Sequence, residues 1–256
     1  MLVLGAGGYV GEAVVAAARE AGWEVVGARS AHADVGEARQ VEALVHDVRP
    51  RAVINAAASF AEDPQAAARV NTVGAAHVAG VCSELGLRLV HVSTDCVHGG
   101  RAEPYPDDAS PTPLAWTYAA TKAAGETAVL ASGADAALVR PSVVLGPGSR
   151  HLHCEGTYFT DMVRAPVHVA DLASLLVALA ASDVRGTLHA GGADEVTRHQ
   201  IAQAYARSIG ADPALVRAGT LAATGLARPG VLRLRTDAAA AVGVRLRGVG
   251  AYLPLA

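Results

Sequence analysis

Short runs of Val, Ile and Leu alternate along this chain with alanine-rich stretches whose apolar positions recur at helical spacing. A strand that is apolar on both faces belongs to a parallel sheet covered by helices on either side, so this alternation predicts consecutive βαβ units. The strands fall at Leu2–Leu4, Glu24–Ala28, Ala52–Ala56, Arg88–Ser93 and Ala136–Arg140. The helices between them fall at Gly11–Ala21, Val41–Asp47, Ala66–Glu84 and Tyr118–Leu130. The expected fold class is α/β with a doubly wound parallel sheet, whose ligands bind beyond the carboxyl ends of the strands.

The regular alternation loosens after Pro141. A Gly/Pro/Ser segment, GPGSRHLHCEG, leads to the apolar helix Val169–Ala181 and then to a strand in TLHAGG. A helix over Thr197–Ile209 and a Gly/Ala/Pro-rich remainder follow. We read residues 1–145 as a nucleotide-binding core and 146–256 as a small C-terminal substrate lobe, with about 165–192 returning to the core.

A glycine loop sits where the first strand meets the first helix. Gly5, Gly8 and Gly11 form GxxGxxG there, with Tyr9 and Val10 opening the helix. Glycines allow a tight turn, close approach of backbone to a pyrophosphate and close helix–strand packing, while the helix N-terminus favours an anion. This is the dinucleotide-binding turn of a Rossmann fold. The second strand ends in Arg29 and Ser30, with no Asp or Glu to accept from a ribose 2′-hydroxyl. A basic and hydroxylated pair suits a 2′-phosphate, which favours NADP(H) over NAD(H) as cofactor. Asp34, next to Val35, fits either the adenine pocket or a helix N-cap.

Composition sharpens one position. Lys122 is the only lysine among 21 basic residues. It lies four residues after Tyr118, one turn away on the same helix face. A phenol near pKa 10 is a poor acid–base group at neutral pH unless a neighbouring ammonium stabilises its phenolate, and such a lysine also reaches a cofactor ribose. Ser93 and Thr94, at the end of the preceding strand, supply hydroxyls to polarise a carbonyl, and Thr94 is the one we assign to it. Read individually, Tyr118 is equally a helix-surface aromatic and Lys122 a solvated charge. Their joint position behind a glycine loop favours carbonyl reduction.

The remaining bulk properties narrow the partners. With 256 residues and a net charge of −3, the chain has the size of an enzyme domain and lacks the basic field of a nucleic-acid binder. The opening MLVLGAGG and the lack of a long apolar run lead us to expect a cytoplasmic protein with neither membrane nor nucleic acid as partner. Cys82, Cys96 and Cys154 are odd in number and lack CxxC spacing, so no disulfide framework is expected. No metal site is expected either, and His151, His153 and Cys154 read as incidental loop residues. The expected partner is a small-molecule carbonyl substrate, and assembly as a homodimer stays open.

The segments GAGGYVG, INAAA, STDCVHGG, YAATKAAGE and RPSVVLG, in that order, resemble the extended short-chain dehydrogenase/reductase superfamily. Within it, the chain is most similar to dTDP-4-dehydrorhamnose reductases and related sugar-nucleotide reductases. The resemblance implies that Thr94, Tyr118 and Lys122 are catalytic. It also implies that Asn55, Ala56, Ala57, Asn71, Ser93, Pro141 and Ser142 lie along the cofactor. Cys96 stands where that family has an aromatic after STD, and Val143 where it has a tryptophan, both positions implied to face the sugar. Asp95, His98, Tyr158 and Arg164 complete the substrate contacts we expect. The activity implied is reduction of a 4-keto-6-deoxy sugar nucleotide or, with the altered pocket, of a natural-product intermediate. A regulatory NADP-binding subunit like the methionine adenosyltransferase beta subunit, or a cofactor-recycling epimerase or dehydratase, are the alternatives.

Overall fold

The computed structural model describes residues 1–255. Its centre is a six-stranded, wholly parallel sheet. The chain enters through β1 (Leu2–Leu4), α1 (Tyr9–Glu20), β2 (Val26–Ala28), α2 (Ala38–Val48) and β3 (Ala52–Asn55). It continues through α3 (Pro64–Ala68), a π-helical turn (Arg69–Gly74), α4 (Ala75–Glu84) and β4 (Arg88–Val92). Next come a 3-10 turn over Asp95–Val97, α5 (Thr117–Ala131) and β5 (Asp135–Pro141). Four short strands, β6 (Val144–Leu145), β7 (Gly156–Phe159), β8 (Val163–Arg164) and β9 (Val167–His168), precede α6 (Val169–Ala180) and β10 (Gly186–Ala190). The rest comprises β11 (Val196–Thr197), α7 (Arg198–Ser208), β12 (Val216–Gly219) and α8 (Asp237–Ala241).

Strand order is β10-β5-β4-β3-β1-β2, so winding reverses between β1 and β3. In sheets of this kind a ligand is expected at that reversal, outside the carboxyl ends of β1 and β3. Residue alternation explains the two layers of core. Val3, Ile54, Val90 and Val139 point to the face covered by Val14 of α1 and Leu172, Leu175, Leu176 and Leu179 of α6. Leu4, Val53, Leu89 and Leu138 point to the other face, under Val41 and Val45 of α2, Val78 and Cys82 of α4 and Val129 of α5. Because α6 is apolar nearly all round, it is buried between the sheet and its neighbours. No helix among the described residues is long and apolar enough to cross a membrane.

Two elements depart from the expected pattern. The second strand spans three residues, not five, because it is the edge strand and its one partner, β1, has only three residues to offer. The long helix expected over Ala66–Glu84 is broken by a π-helical turn at Arg69–Gly74, which carries Asn71.

The lobe that follows Pro141 is made of small two-stranded pairings. β7 lies parallel to β12, β8 antiparallel to β11 and β6 parallel to β9. α7 starts with a reciprocal capping box between Thr197 and Gln200, which anchors its first turn.

Candidate active site

The glycines of the first loop are fixed by contacts within the chain. Gly5 has φ of +74°, and a Cβ there would stand 2.6 Å from the Ala57 nitrogen. A Cβ on Gly11 would enter the Gly5 carbonyl. Gly8 instead is exposed and N-caps α1 with no side chain on the helix end. The first-turn N–H groups therefore face outward, which is what an incoming phosphate requires. Tyr9 and Val10 send their side chains inward, Val10 against the core and Tyr9 toward Gly146, so only their backbone is offered to a ligand.

Beyond this loop the remaining expected residues play unequal parts. Asn55 is buried and accepts from the Ala57 N–H at 3.1 Å, and the Ala56 N–H donates to the Leu4 carbonyl, so Asn55 shapes the Ala56–Ala57 wall opposite Gly5. Arg29 is exposed and its stem lies over Gly7, with the guanidinium 3.9 Å from Glu12. Ser30 is exposed beside it. Asp34 does not cap a helix: its carboxylate accepts from Gly36 N–H at 2.8 Å and pairs with Arg69 at 2.7 Å, while Glu37 occupies the N-cap of α2. Val35 is buried against Gly74, so it can only form the wall of an adenine pocket.

Asn71 owes its position to the π-helical turn. Its Oδ1 accepts from the Ser59 N–H at 2.8 Å, and its Nδ2 donates to the Ser59 carbonyl at 2.8 Å and to Thr121 Oγ1 at 3.0 Å. One amide thereby joins the loop after β3 to the helix that bears Tyr118 and Lys122. Such turns recur at functional sites because they re-aim a side chain that a regular helix would place elsewhere.

The catalytic candidates converge where β4 ends. Thr94 accepts from the Cys96 N–H at 3.2 Å, which caps the 3-10 turn and leaves the Thr94 hydroxyl proton available to a ligand. Ser93 is buried and its hydroxyl has no partner. An orphaned buried hydroxyl is a polar group whose partner a bound ligand can supply. Asp95 is buried, accepting from Ser142 Oγ at 2.8 Å and from Cys96 Sγ at 3.3 Å. Ser142, in turn, follows Pro141 and donates its N–H to Ala190, which ties the end of β5 to β10.

Lys122 is 1% exposed, and its Nζ donates to the Val92 carbonyl at 2.6 Å. Burial lowers its pKa to about 8, with Glu126 pulling it up. Tyr118 contradicts the expected acidified phenol. Its pKa is pushed well above 10, first by burial and then by Cys96, with the Thr94 hydroxyl opposing and Asp95 adding to the rise. The Lys122 ammonium is held at the end of β4 by the Val92 carbonyl. The raised pKa leaves the phenol neutral at ordinary pH and makes it a weaker acid than an ordinary tyrosine.

Three expected substrate contacts need correction or a changed role. His98 is fully buried, stacked on Tyr105 at 4.1 Å with Nε2 2.9 Å from His189 Nε2. It belongs to the interior and cannot touch substrate. Arg164 is 3% exposed, and its guanidinium donates to the carbonyls of Val163, Pro229 and Gly230, so it holds two chain segments together. Val143 is half-buried and packs into the apolar cluster of Leu145, Val196 and Ile201. Tyr158 and Cys96 are half-buried and stay on the lobe side of the site. Residues that the sequence did not single out complete the surround. Phe60 stacks on Tyr118 at 4.4 Å, Trp116 tilts against it at 5.3 Å, and Arg228 lies 3.9 Å over Trp116. Trp116, two residues before Tyr118, was the one local signal; Phe60 and Arg228 arrive from distant parts of the chain.

Residues 1–248 match the model of the RmlD substrate binding domain. The dTDP-4-dehydrorhamnose reductase of Mycobacterium tuberculosis is 37% identical over 243 residues, covering 85% of this chain and 78% of the relative. Methionine adenosyltransferase 2 subunit beta of Xenopus laevis is 30% identical over 236 residues, covering 80% of this chain and 70% of the relative. Among solved structures, the dTDP-4-dehydrorhamnose reductase of Bacillus anthracis in complex with NADP superposes with a TM-score of 0.86 at 23% identity, covering 96% of this chain and 94% of that one.

Proposed function

Since the chain belongs to the RmlD substrate-binding domain family, within the extended short-chain dehydrogenases/reductases, we propose that it is an NADPH-dependent ketoreductase acting on a carbonyl of a sugar nucleotide of the 4-keto-6-deoxy type. The observation that supports this reading is the convergence of Thr94, Tyr118 and buried Lys122 at the end of β4. The same reading assigns residues 146–164 and the chain after 192 to substrate binding.

Bound NADPH supplies the hydride for the carbonyl carbon. Thr94 donates a hydrogen bond to the carbonyl oxygen and Tyr118 delivers the proton that completes the alcohol. One oxyanion donor of this kind contributes roughly 3 kcal/mol and a positioned acid about 10² to 10⁴ in rate. Lys122 places a positive charge under the reacting groups, and Asn55 and Asn71 hold the loop after β3 that walls the dinucleotide site. Asp95 and Ser142 fix the turn that bears Thr94.

Arg29 is the residue we assign to the 2′-phosphate, since it is exposed, stands beside the glycine loop and has only a long contact to Glu12. The test is NADPH consumption with a panel of sugar-nucleotide ketones. Turnover that disappears in Tyr118→Phe supports the reading; a full panel without turnover sinks it.

One observation favours a second reading. The chain is also 30% identical over 236 residues to Methionine adenosyltransferase 2 subunit beta of Xenopus laevis, which supports a subunit that binds a dinucleotide without reducing a substrate. Tight NADPH binding, absent turnover and a stoichiometric complex with a methionine adenosyltransferase catalytic subunit would together establish that alternative.

A further inference from the structure

Phe60 is 66% exposed, more than any other large apolar side chain among the described residues. A lone exposed apolar side chain is ordinary, but this one stands on a fixed loop and against a functional group. Asn71 holds both backbone groups of Ser59, and the Ser59 hydroxyl accepts from the Ala61 N–H at 3.3 Å. A little further on, the Asp63 carboxylate caps α3. Phe60 is thus presented by a segment tied down on both sides. Its ring lies nearly parallel to that of Tyr118, with 4.4 Å between centroids and 17° between planes.

Trp116 brings a second aromatic to the same phenol. It is the N-cap residue of α5, and its ring stands 5.3 Å from that of Tyr118 at 47°. Arg228 covers Trp116 at 3.9 Å, and the Arg164 guanidinium holds the carbonyls of Pro229 and Gly230 that follow it. Phe60 is exposed, and Tyr118 and Trp116 are half-buried. Together the three rings form a partly open aromatic surface built on the phenol, drawn from the loop after β3 and the start of α5.

The two positions at which the similar reductases carry aromatics are occupied differently here. Val143 packs into the apolar cluster of Leu145, Val196 and Ile201, and the Cys96 thiol donates to Asp95 at 3.3 Å. A pyranose has an apolar C–H face, and a 6-deoxy sugar adds a methyl group, so a wall of aromatic or aliphatic side chains suits it. Phe60 and Trp116 are in contact with Tyr118. Whatever takes a proton from that phenol arrives beside them.

We propose that Phe60 and Trp116 are specificity residues that seat the apolar face of the substrate's carbonyl-bearing sugar ring, in place of aromatic side chains at positions 96 and 143. That this ring is the one reduced rests on the reductase reading; the aromatic seat itself does not depend on turnover.

The chain has two tryptophans, and Trp23 lies between α1 and β2, at the amino ends of the strands and away from the site. Tryptophan fluorescence therefore reports a ligand beside Trp116. Two probes are titrated into the NADP-saturated protein: thymidine diphosphate glucose, which carries a sugar without a ketone, and thymidine diphosphate, which lacks the sugar. The sugar-bearing probe changes the fluorescence of the parent, and the change is absent in Trp116→Phe. By calorimetry, Phe60→Ala loses at least about ten-fold in affinity for thymidine diphosphate glucose and less than about two-fold for thymidine diphosphate, and Phe60→Tyr recovers most of the loss. With a sugar-nucleotide ketone, the loss in Phe60→Ala falls on KM more than on kcat, whereas a residue that merely steadied the phenol would lower kcat. Equal losses for the two probes, an affinity for the sugar-bearing probe within about two-fold of the parent, a fluorescence change that persists in Trp116→Phe, or a parent that does not bind thymidine diphosphate glucose overturns the proposal. Turnover of sugar-nucleotide ketones with an unchanged KM in Phe60→Ala overturns the seat and leaves the reductase reading intact. Sugar binding that depends on Phe60 without any NADPH consumption rejects the reductase reading and leaves the seat standing.

Discussion

At the scale of single residues, the chemistry depends on where two protons reside. In the proposed reduction Tyr118 supplies the proton, so Tyr118→Phe lowers kcat by at least about 100-fold with little change in NADPH affinity. Lys122 loses its proton near pH 8 in the free protein. It is cationic below that value and neutral above, so kcat/KM falls as pH rises through about 8, and a profile flat from pH 7 to pH 9 would remove the ammonium from the mechanism. Arg29→Ala weakens NADPH by about ten-fold or more and NADH hardly at all, measured by fluorescence titration of each. The sequence offered these residues as candidates because their signals are local: a tyrosine and a lysine one turn apart, an arginine at a strand end. The acidity of the phenol was not legible. It depends on burial and on Cys96 and Asp95, which a spacing rule does not see.

At the scale of elements, periodicity identified helices and strands well and their interruptions poorly. Helical spacing over Ala66–Glu84 is nearly continuous, yet Asn71 gains three hydrogen bonds to Ser59 and Thr121 by sitting in a π-helical turn. Those partners lie 12 and 50 residues away, outside any window that reads local pattern. Asn71→Ala strands the Ser59 backbone groups and lowers stability by about 2–4 kcal/mol, read from urea unfolding, while loosening the loop that carries Phe60. Gly125 supports the same junction, because a Cβ there would collide with the Asn71 carbonyl. The edge strand β2 was overestimated for a related reason: Glu24 and Val25 continue the strand pattern, but pairing begins only at Val26, opposite Leu2.

At the scale of the whole molecule, a buried polar seam joins the sheet to the C-terminal segment. The Nδ1 of His189 lies 3.2 Å from the Arg235 carbonyl and so carries its proton, which makes its Nε2 the acceptor from His98. Burial and the nearby Arg140 hold both imidazoles neutral, His189 down to about 4 and His98 to about 3. In the unfolded chain these groups protonate near 6.5, so their contribution to stability is complete above that pH and is lost as pH falls toward about 4. The melting temperature accordingly drops between pH 6.5 and pH 4 in the parent and drops less in a His98→Phe variant. The sheet and its helices were readable from the sequence, whereas the lobe was readable only as irregular chain, since its two-stranded pairs join segments with no periodicity of their own.

The solitary amine side chain has one more consequence. A reagent that acylates lysine finds a single side-chain target, and that target is sealed inside the protein, so the rate of labelling clocks how often the interior of this region opens. A ligand that seats beside Lys122 slows the clock, and occupancy becomes countable by mass spectrometry without any knowledge of the reaction.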